Sequence, residues 1–255
     1  MTPTQPGPSQ ASAVAQRLNR MNAAAAVSFA IGGSLFALGA FFAQTDVVGL
    51  TTVNVTYLVG GFFFSAGGYA SIVLVVNLAS DQRGSTGAAR MRWWGFLPGL
   101  RGWWSVSVLF VGTLLFAVSL MAAFAQDLTP RQSDGWVWLP DILGCVCFLV
   151  SGRLALLDAG GGLVVLRVRD LGWVVAAVNQ IGSILFFLAG VAAFVRPATS
   201  AAVDAGLVNW GTFTGAVCFA IGGVIQIFDQ PIPTRPRPTK VVEHDEQHPA
   251  VRRRR

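Results

Sequence analysis

Long apolar segments alternate with short polar ones along the whole middle of the chain. Crossing a bilayer as a helix takes about 20 mostly apolar residues. Six segments qualify or nearly do: 22–44, 55–79, 104–125, 136–157, 171–195 and 206–228. The fourth is the weakest because it carries Asp141 and Arg153, although both lie near its ends, where a charge costs less than at the centre. The pattern predicts an all-α, polytopic membrane protein with six transmembrane helices.

The two ends of the chain differ from this pattern. Residues 1–21 are polar and rich in Pro, Ser and Gln, and residues 229–255 are basic and rich in Pro. Segments of this kind have too few apolar side chains to bury. We therefore predict a disordered cytoplasmic tail over 1–21, a six-helix transmembrane domain over 22–228 and a disordered basic cytoplasmic tail over 229–255.

Positive charges are distributed unevenly between the predicted loops. Sixteen of the 18 Lys and Arg residues fall on the side that six helices would give to both chain ends. Arg131 and Arg196 fall on the opposite side. Because loops rich in Lys and Arg stay cytoplasmic, the distribution predicts that both termini are inside.

Composition narrows the class of protein further. Charged residues make up 12% of the chain, hydrophobic residues 53%, and the mean hydropathy is +0.59. Soluble domains carry about 25% charged residues, so an ordinary soluble enzyme, a disordered protein and a disulfide scaffold are excluded. The eight tryptophans lie near predicted span ends, which is typical of an aromatic belt at the membrane interface.

A glycine and phenylalanine motif recurs along the chain. The second, fourth and sixth predicted helices share Gly-x-x-x-Phe-x-x-x-Gly, and the first, third and fifth share Gly-x-x-Leu-Phe. We therefore predict three copies of one helical hairpin (22–79, 104–157 and 171–228), related by an axis along the membrane normal. The glycines of the first motif are Gly60, Gly68, Gly144, Gly152, Gly215 and Gly223.

These glycines lie four residues from the phenylalanine, along one helix face. Helices in lipid associate through close van der Waals contact, which small residues permit. The favoured interpretation is a helix-packing role. A pore lined by exposed glycine backbone is the alternative.

Several segments resemble the YrhK-domain family of bacterial membrane proteins, in particular an actinobacterial-type branch with several hairpins. The resemblance covers about residues 25 to 230, and its most specific part is Trp138-Leu139-Pro140-Asp141. It implies an integral protein of the bacterial cytoplasmic (inner) membrane with this topology, and it implies no activity. Where the family carries a basic segment between two Trp pairs, this chain has Phe96 to Arg101. The other carriers are Arg92 to Gly95, Trp103-Trp104, Val111 to Phe116, Gly144, Cys147 to Val150, Asn179 to Ser183 and Gly211 to Phe219.

Two charged residues inside the fourth span are candidates for function. Asp141 follows Pro140, so its carboxylate either caps the start of a helix or forms a proton or cation site. Arg153 either extends its side chain to the cytoplasmic headgroups or forms a buried pair or an anionic-ligand contact. The two lie 12 positions apart, about 18 Å along a helix, so they do not pair directly.

Asn179 and Gln180 form a polar cluster in the fifth predicted helix. Such side chains often form hydrogen bonds between helices, and contact with a substrate is the alternative. No metal site or cofactor is predicted: Cys145, Cys147 and Cys218 suit small buried residues, and His244 and His248 lie in a Pro-rich tail.

The C-terminal run Arg252, Arg253, Arg254 and Arg255 predicts contact with anionic lipids. A basic tail tethered to a membrane meets headgroups first, and each Arg there contributes about 1 kcal/mol. Nucleic acid is therefore not an expected partner. A homo-oligomer or a membrane partner protein remains open.

No catalytic triad, zinc-protease motif or P-loop occurs in the sequence. We therefore expect a protein that is not an enzyme, with a structural, accessory or interaction role in the membrane. The alternative is a small-solute or ion transporter or channel, with Asp141 and Asn179 lining a polar path.

Overall fold

The structure is a computed structural model that describes residues 8–82, 91–125, 127–160 and 166–229. The elements are α1 (Pro8–Thr45), α2 (Leu50–Gln82), α3 (Arg101–Ala122), α4 (Pro130–Ser133), α5 (Leu139–Gly160), α6 (Leu171–Ala192), β1 (Val195–Arg196), β2 (Ala201–Ala202) and α7 (Ala205–Phe228). A π-helical turn, Asp134–Trp138, joins α4 to α5, and the short strands β1 and β2 form an antiparallel pair after α6.

Within the described ranges, six helical segments are long and apolar enough to cross a membrane. Five of them are α1, α2, α3, α6 and α7. The remaining segment, Pro130–Gly160, combines α4, the π-helical turn and α5. The predicted class, a helical protein with six candidate membrane spans, is confirmed, including the weak fourth span.

The six spanning segments form a closed ring. Each packs against its neighbours in sequence, and α1 also packs against α7. The outward face of the ring is apolar: Val111, Leu114 and Val118 of α3 are exposed, as are Ile181 and Leu188 of α6. An apolar exterior is what a bilayer requires of its protein surface.

Six phenylalanines fill the centre of the ring and are called here the phenylalanine layer. They form two triangles, with ring centroids 6.1–6.4 Å apart in one and 5.5–6.3 Å apart in the other. The two triangles are joined by contacts of 5.1–5.3 Å within each pair of consecutive helices. Each of the six phenylalanines is at most 7% exposed. The first triangle is Phe36, Phe116 and Phe186, and the second is Phe64, Phe148 and Phe219.

Glycines make room for these rings. A Cβ at Gly144 would lie 2.5 Å from the Phe116 ring, and one at Gly215 would lie 2.7 Å from the Phe186 ring. Gly60 faces Phe36 in the same way, at 2.8 Å. These distances are shorter than van der Waals contact, so a side chain at any of the three positions would displace a ring of the layer.

A second set of glycines lies where one helix pair meets the next. Gly68 of α2 faces Phe110 of α3, and Gly152 of α5 faces Gln180 of α6. Gly223 of α7 lies against the backbone of α1, where a Cβ would be 2.6 Å from the Ala30 nitrogen.

Polar side chains reinforce the contact between the first and last spans. The Asn22 amide nitrogen donates to the carbonyl oxygens of Gln226 (3.1 Å) and Asp229 (2.7 Å). The Gln226 amide donates in return to the Asn22 side-chain oxygen at 3.0 Å. Asn22 is 5% exposed, so these hydrogen bonds satisfy a buried amide and hold the ring closed.

The prediction of a disordered tail over 1–21 is wrong for residues 8–21. This stretch is helical and belongs to α1, with Ala15 and Leu18 buried. Its Ala, Gln, Arg and Leu residues are good helix formers, and the polar composition concealed a narrow apolar face. At 38 residues, α1 is about 57 Å long, well beyond the hydrocarbon thickness. Residues 230–255 lie outside the described residues.

Two of the tryptophans assigned to an interfacial belt form hydrogen bonds within the protein, and one of them is buried while the other is half-buried. Trp103 is 5% exposed, and its indole N–H donates to the Gly95 carbonyl at 2.8 Å. Trp138 donates to the Gly190 carbonyl at 2.8 Å. A buried indole needs such a partner, and the sequence gives no sign of where those carbonyls lie.

Gly223→Ala tests the contact that closes the ring. The added methyl group meets backbone atoms, which cannot rotate away, so we expect a loss of about 1–3 kcal/mol in the free energy of unfolding. Gly99→Ala is the control, because nothing lies within 4 Å of the added group. The measurement is thermal unfolding of both purified variants in detergent. Equal stability of Gly223→Ala and wild type would contradict the close contact.

Asp229, just after α7, gives a prediction about pH. Burial raises the pKa of its carboxyl above the ordinary value of 3.8, and the nearby charge of Asp170 raises that pKa further. The folded protein therefore holds this proton more tightly than the unfolded chain, so stability falls as pH rises through the raised pKa. Asp229→Asn should make the melting temperature less pH-dependent and higher at neutral pH. The exposed Asp127→Asn is the matched control, and an unchanged pH profile in Asp229→Asn would refute the prediction.

Candidate functional site

A cavity of about 250 Å³ lies on the axis of the ring, next to the phenylalanine layer, and is called here the vestibule. Every spanning segment contributes to its wall, and Phe36, Phe116 and Phe186 of the phenylalanine layer also line it. It lies at the end of the bundle where α1 ends and α2 begins, called here the Asp141 end. The opposite end, where α1 begins and α7 ends, is called the terminal end. The vestibule is thus bounded by the layer on the side of the terminal end.

Asp141 of α5 is the acidic residue of the vestibule. Its carboxylate faces α6 at Gly190, where an added Cβ would lie 3.2 Å from Oδ2. Among the described residues, no hydrogen-bond donor or cation pairs with this carboxylate. Asp141 is also the one charged residue among the described residues that line the vestibule.

The capping interpretation of Asp141 does not match this geometry. The helix does not begin at Leu139, because α4 and the π-helical turn precede it without a break. The segment is capped earlier, where the Thr129 side chain accepts from Gln132 and forms a capping box with it. The backbone N–H groups near Asp141 are therefore already bonded within the helix.

The π-helical turn before Asp141 is held by three contacts. The Ser119 hydroxyl donates to the Val137 carbonyl at 2.8 Å, and the Trp138 indole donates to Gly190. The backbone N–H of Val195 in β1 donates to the Asp134 carboxylate at 3.0 Å. A π-helical turn adds a residue to the helical repeat and often occurs at functional sites. Here Val137, Trp138 and Asp141 all line the vestibule.

Tyr57 and Thr212 complete the polar wall. Counted from the glycine motif, they occupy in α2 and α7 the position that Asp141 occupies in α5. Both line the vestibule, together with Asn54, whose amide nitrogen donates to the Ala123 carbonyl at 2.9 Å. One acid thus faces neutral hydrogen-bonding groups across an otherwise apolar cavity.

Asn179 and Gln180 lie elsewhere. Asn179 is packed against Gly222 of α7, and Gln180 against Gly152 of α5. Both precede Phe186 by about two helical turns, so they lie on the other side of the phenylalanine layer from Asp141. Asp141 and Asn179 therefore do not line one path in this structure. The Asn179 and Gln180 side-chain oxygens are buried without hydrogen-bond partners among the described residues.

Arg153 is a further buried group of α5. Its NH1 nitrogen is buried and has no hydrogen-bond partner among the described residues. The helix is continuous from Asp141 to Arg153, so the two charges remain separated along it.

The phenylalanine layer leaves almost no free space. A void of about 10 Å³ lies among its rings and Thr113, at the lower limit for holding one water molecule. The vestibule is thus closed toward the terminal end in this conformation.

The described residues contain no group of three or more His, Cys, Asp or Glu side chains that could hold a metal ion. His244 and His248 lie outside them. Cys145 is buried, and its thiol donates to the Phe186 carbonyl at 3.4 Å. The chemistry available in the vestibule is binding through one carboxylate, hydroxyl and amide groups, and aromatic faces.

Sequence reasoning found Asp141 but missed its surroundings. Tyr57 and Thr212 could have been included, because the repeat places them level with Asp141. Trp138 could not have been found, because its inward orientation depends on the π-helical turn.

Comparisons with known proteins add no assignment. No family model, curated protein or solved structure matches the chain. The resemblance to the YrhK-domain family stays a prediction from the residues that carry it.

Proposed function

We propose that this is a non-catalytic, solute-binding protein of the bacterial cytoplasmic membrane. The observation that carries the proposal is the vestibule, with an unpaired carboxylate in its wall and a floor of packed aromatic rings. Cavities with apolar walls and a few convergent polar groups are typical binding sites. An intramembrane acid also carries a cost that function commonly explains.

Binding without conduction fits the geometry best. Rings packed at centroid distances of 5.1–6.4 Å occupy the axis between the vestibule and the terminal end. On the other side of the layer, Asn179 and Gln180 face glycines of neighbouring helices rather than the axis. A solute that enters the vestibule therefore meets a closed floor.

The proposal includes an arrangement of three equivalent hairpins around an axis along the membrane normal. Each of the two phenylalanine triangles contains one phenylalanine from each hairpin. Contacts between hairpins also correspond. Gly68 faces Phe110, Gly152 faces Gln180, and Gly223 faces Ala30. Phe110, Gln180 and Ala30 occupy the same position relative to the Gly-x-x-Leu-Phe repeat of their helices. Three corresponding contacts favour pseudo-three-fold symmetry over an inverted repeat.

We further propose that both termini are cytoplasmic and that the vestibule opens to the outside. In and next to the described connections between helices, the terminal end carries Arg92, Arg101, Arg167 and Arg169, and the Asp141 end carries Arg131 and Arg196. Positive charge on the cytoplasmic side is the rule for such proteins.

Anionic lipids are the proposed partners at the terminal end. Trp93 and Trp94 are each 61% exposed beside Arg92. Their loop is held in place because Asn77 both donates to the Arg92 carbonyl (2.8 Å) and accepts from its N–H (3.1 Å). Exposed indoles next to arginine suit the interface of an anionic bilayer. The run Arg252 to Arg255, outside the described residues, would add to this contact.

Cysteine labelling tests access and orientation together. In a variant whose native cysteines are replaced by alanine, Thr212→Cys should react with a membrane-impermeant thiol reagent added to intact cells. Ser183→Cys is the matched control: Ser183 is 2% exposed and lies level with the phenylalanine layer, next to Gly182, which faces Phe219, so it should not react. Labelling of both residues, or of Ser183→Cys alone, would contradict the closed floor. Labelling of Thr212→Cys only after cell lysis would contradict the orientation.

A further inference from the structure

We infer that the ligand of the vestibule is a small organic monocation, a protonated amine with a compact apolar body. The inference rests on the proposed function and specifies what the vestibule binds. It is carried by the charge, the aromatic walls, the free acceptors and the volume of the cavity, none of which depends on another.

The charged residues of the vestibule wall favour a cationic ligand. The described residues that line the vestibule include Asp141 and no Lys, Arg or His. A carboxylate held in apolar surroundings without a partner is costly, and a bound cation offsets that cost. One carboxylate matches one positive charge.

The aromatic side chains of the vestibule wall favour an ammonium group. Trp138 and Tyr57 lie beside Asp141, and three rings of the phenylalanine layer close the floor. Ring faces attract ammonium groups, most strongly where water is excluded. Mg²⁺ and Ca²⁺ are disfavoured, because they take six or more oxygen ligands, and the wall offers few.

The vestibule wall offers more free hydrogen-bond acceptors than free donors. Ser119 uses its one donor on the Val137 carbonyl, and Asn54 uses one of its two N–H groups on the Ala123 carbonyl. The side-chain oxygens of both residues are left as acceptors. The hydroxyls of Tyr57 and Thr212 have no partner among the described residues. An alkylammonium group has three N–H donors and no acceptor, which complements a wall that is rich in acceptors.

The volume of the vestibule suits a small organic molecule. A dry cavity of about 150 Å³ lined by Leu, Ile and Phe holds benzene, and the vestibule is about 250 Å³. It therefore has room for a ring or short alkyl chain that bears one amine. Benzylammonium is a suitable probe, with benzyl alcohol and benzoate as its neutral and anionic counterparts of nearly the same shape.

The test is calorimetric titration of the full-length protein in nanodiscs with each of the three probes at neutral pH. Benzylammonium should bind at least tenfold more tightly than benzyl alcohol, and benzoate should not bind. Asp141→Asn should lower the affinity for benzylammonium at least tenfold and abolish its advantage over the alcohol. Asp127→Asn, an exposed acid at the same end of the bundle, should leave the affinity unchanged. Thermal unfolding of both variants checks that they are folded.

The outcomes separate the two proposals. Equal affinity for the ammonium and the alcohol, or a full effect in Asp127→Asn, would overturn the cation inference. Failure of all three probes in a protein whose Thr212→Cys variant is labelled would also overturn it while leaving the accessible vestibule in place. Absence of that labelling in intact and in lysed cells alike would overturn the proposed function itself.

Discussion

Close packing of phenylalanine rings against glycine backbone is the interaction on which the rest of this structure depends. In lipid the hydrophobic effect provides no force between helices, so contact at van der Waals distance must hold them together. Gly60, Gly144 and Gly215 each admit a ring from the neighbouring helix. The six rings then meet on the axis, which fixes the diameter of the ring of helices and closes its centre.

The vestibule follows from this packing. Beyond the phenylalanine layer the helices continue toward the Asp141 end with smaller side chains, including Ala189, Gly190 and Ala193, so the axis there is left open. The π-helical turn directs Trp138 and Asp141 into that space. A charge that would be unfavourable in lipid is thus placed where a ligand or water can reach it, which is the environment expected for an intramembrane acid.

The sequence predicts the local parts of this fold well, because the lipid solvent imposes a strong pattern. Six apolar spans and the glycine motif are visible without any structure, and Asp141 stands out as a charge inside a span. Ring closure is not visible, since it depends on contacts between α1 and α7 at opposite ends of the chain. The helix over residues 8–21 is hard to predict because the polar composition of this stretch hides the narrow apolar face formed by Ala15 and Leu18. The sequence alone suggests one polar path for Asn179 and Asp141, but the phenylalanine layer separates them.

The closed ring with a filled centre is the central claim, and the contact between its first and last helices tests it most directly. Asn22 and Gln226 bond side chain to side chain at 3.0 Å. In a variant with no native cysteines, Asn22→Cys with Gln226→Cys should therefore be joined within one chain by a short bifunctional thiol reagent, in membranes and at high yield. Pairing Gln226→Cys with Phe62→Cys, an outward-facing residue of α2 that is 70% exposed, should give no such product. Failure of the first pair to cross-link, or cross-linking of it only between two chains, would contradict the closed ring.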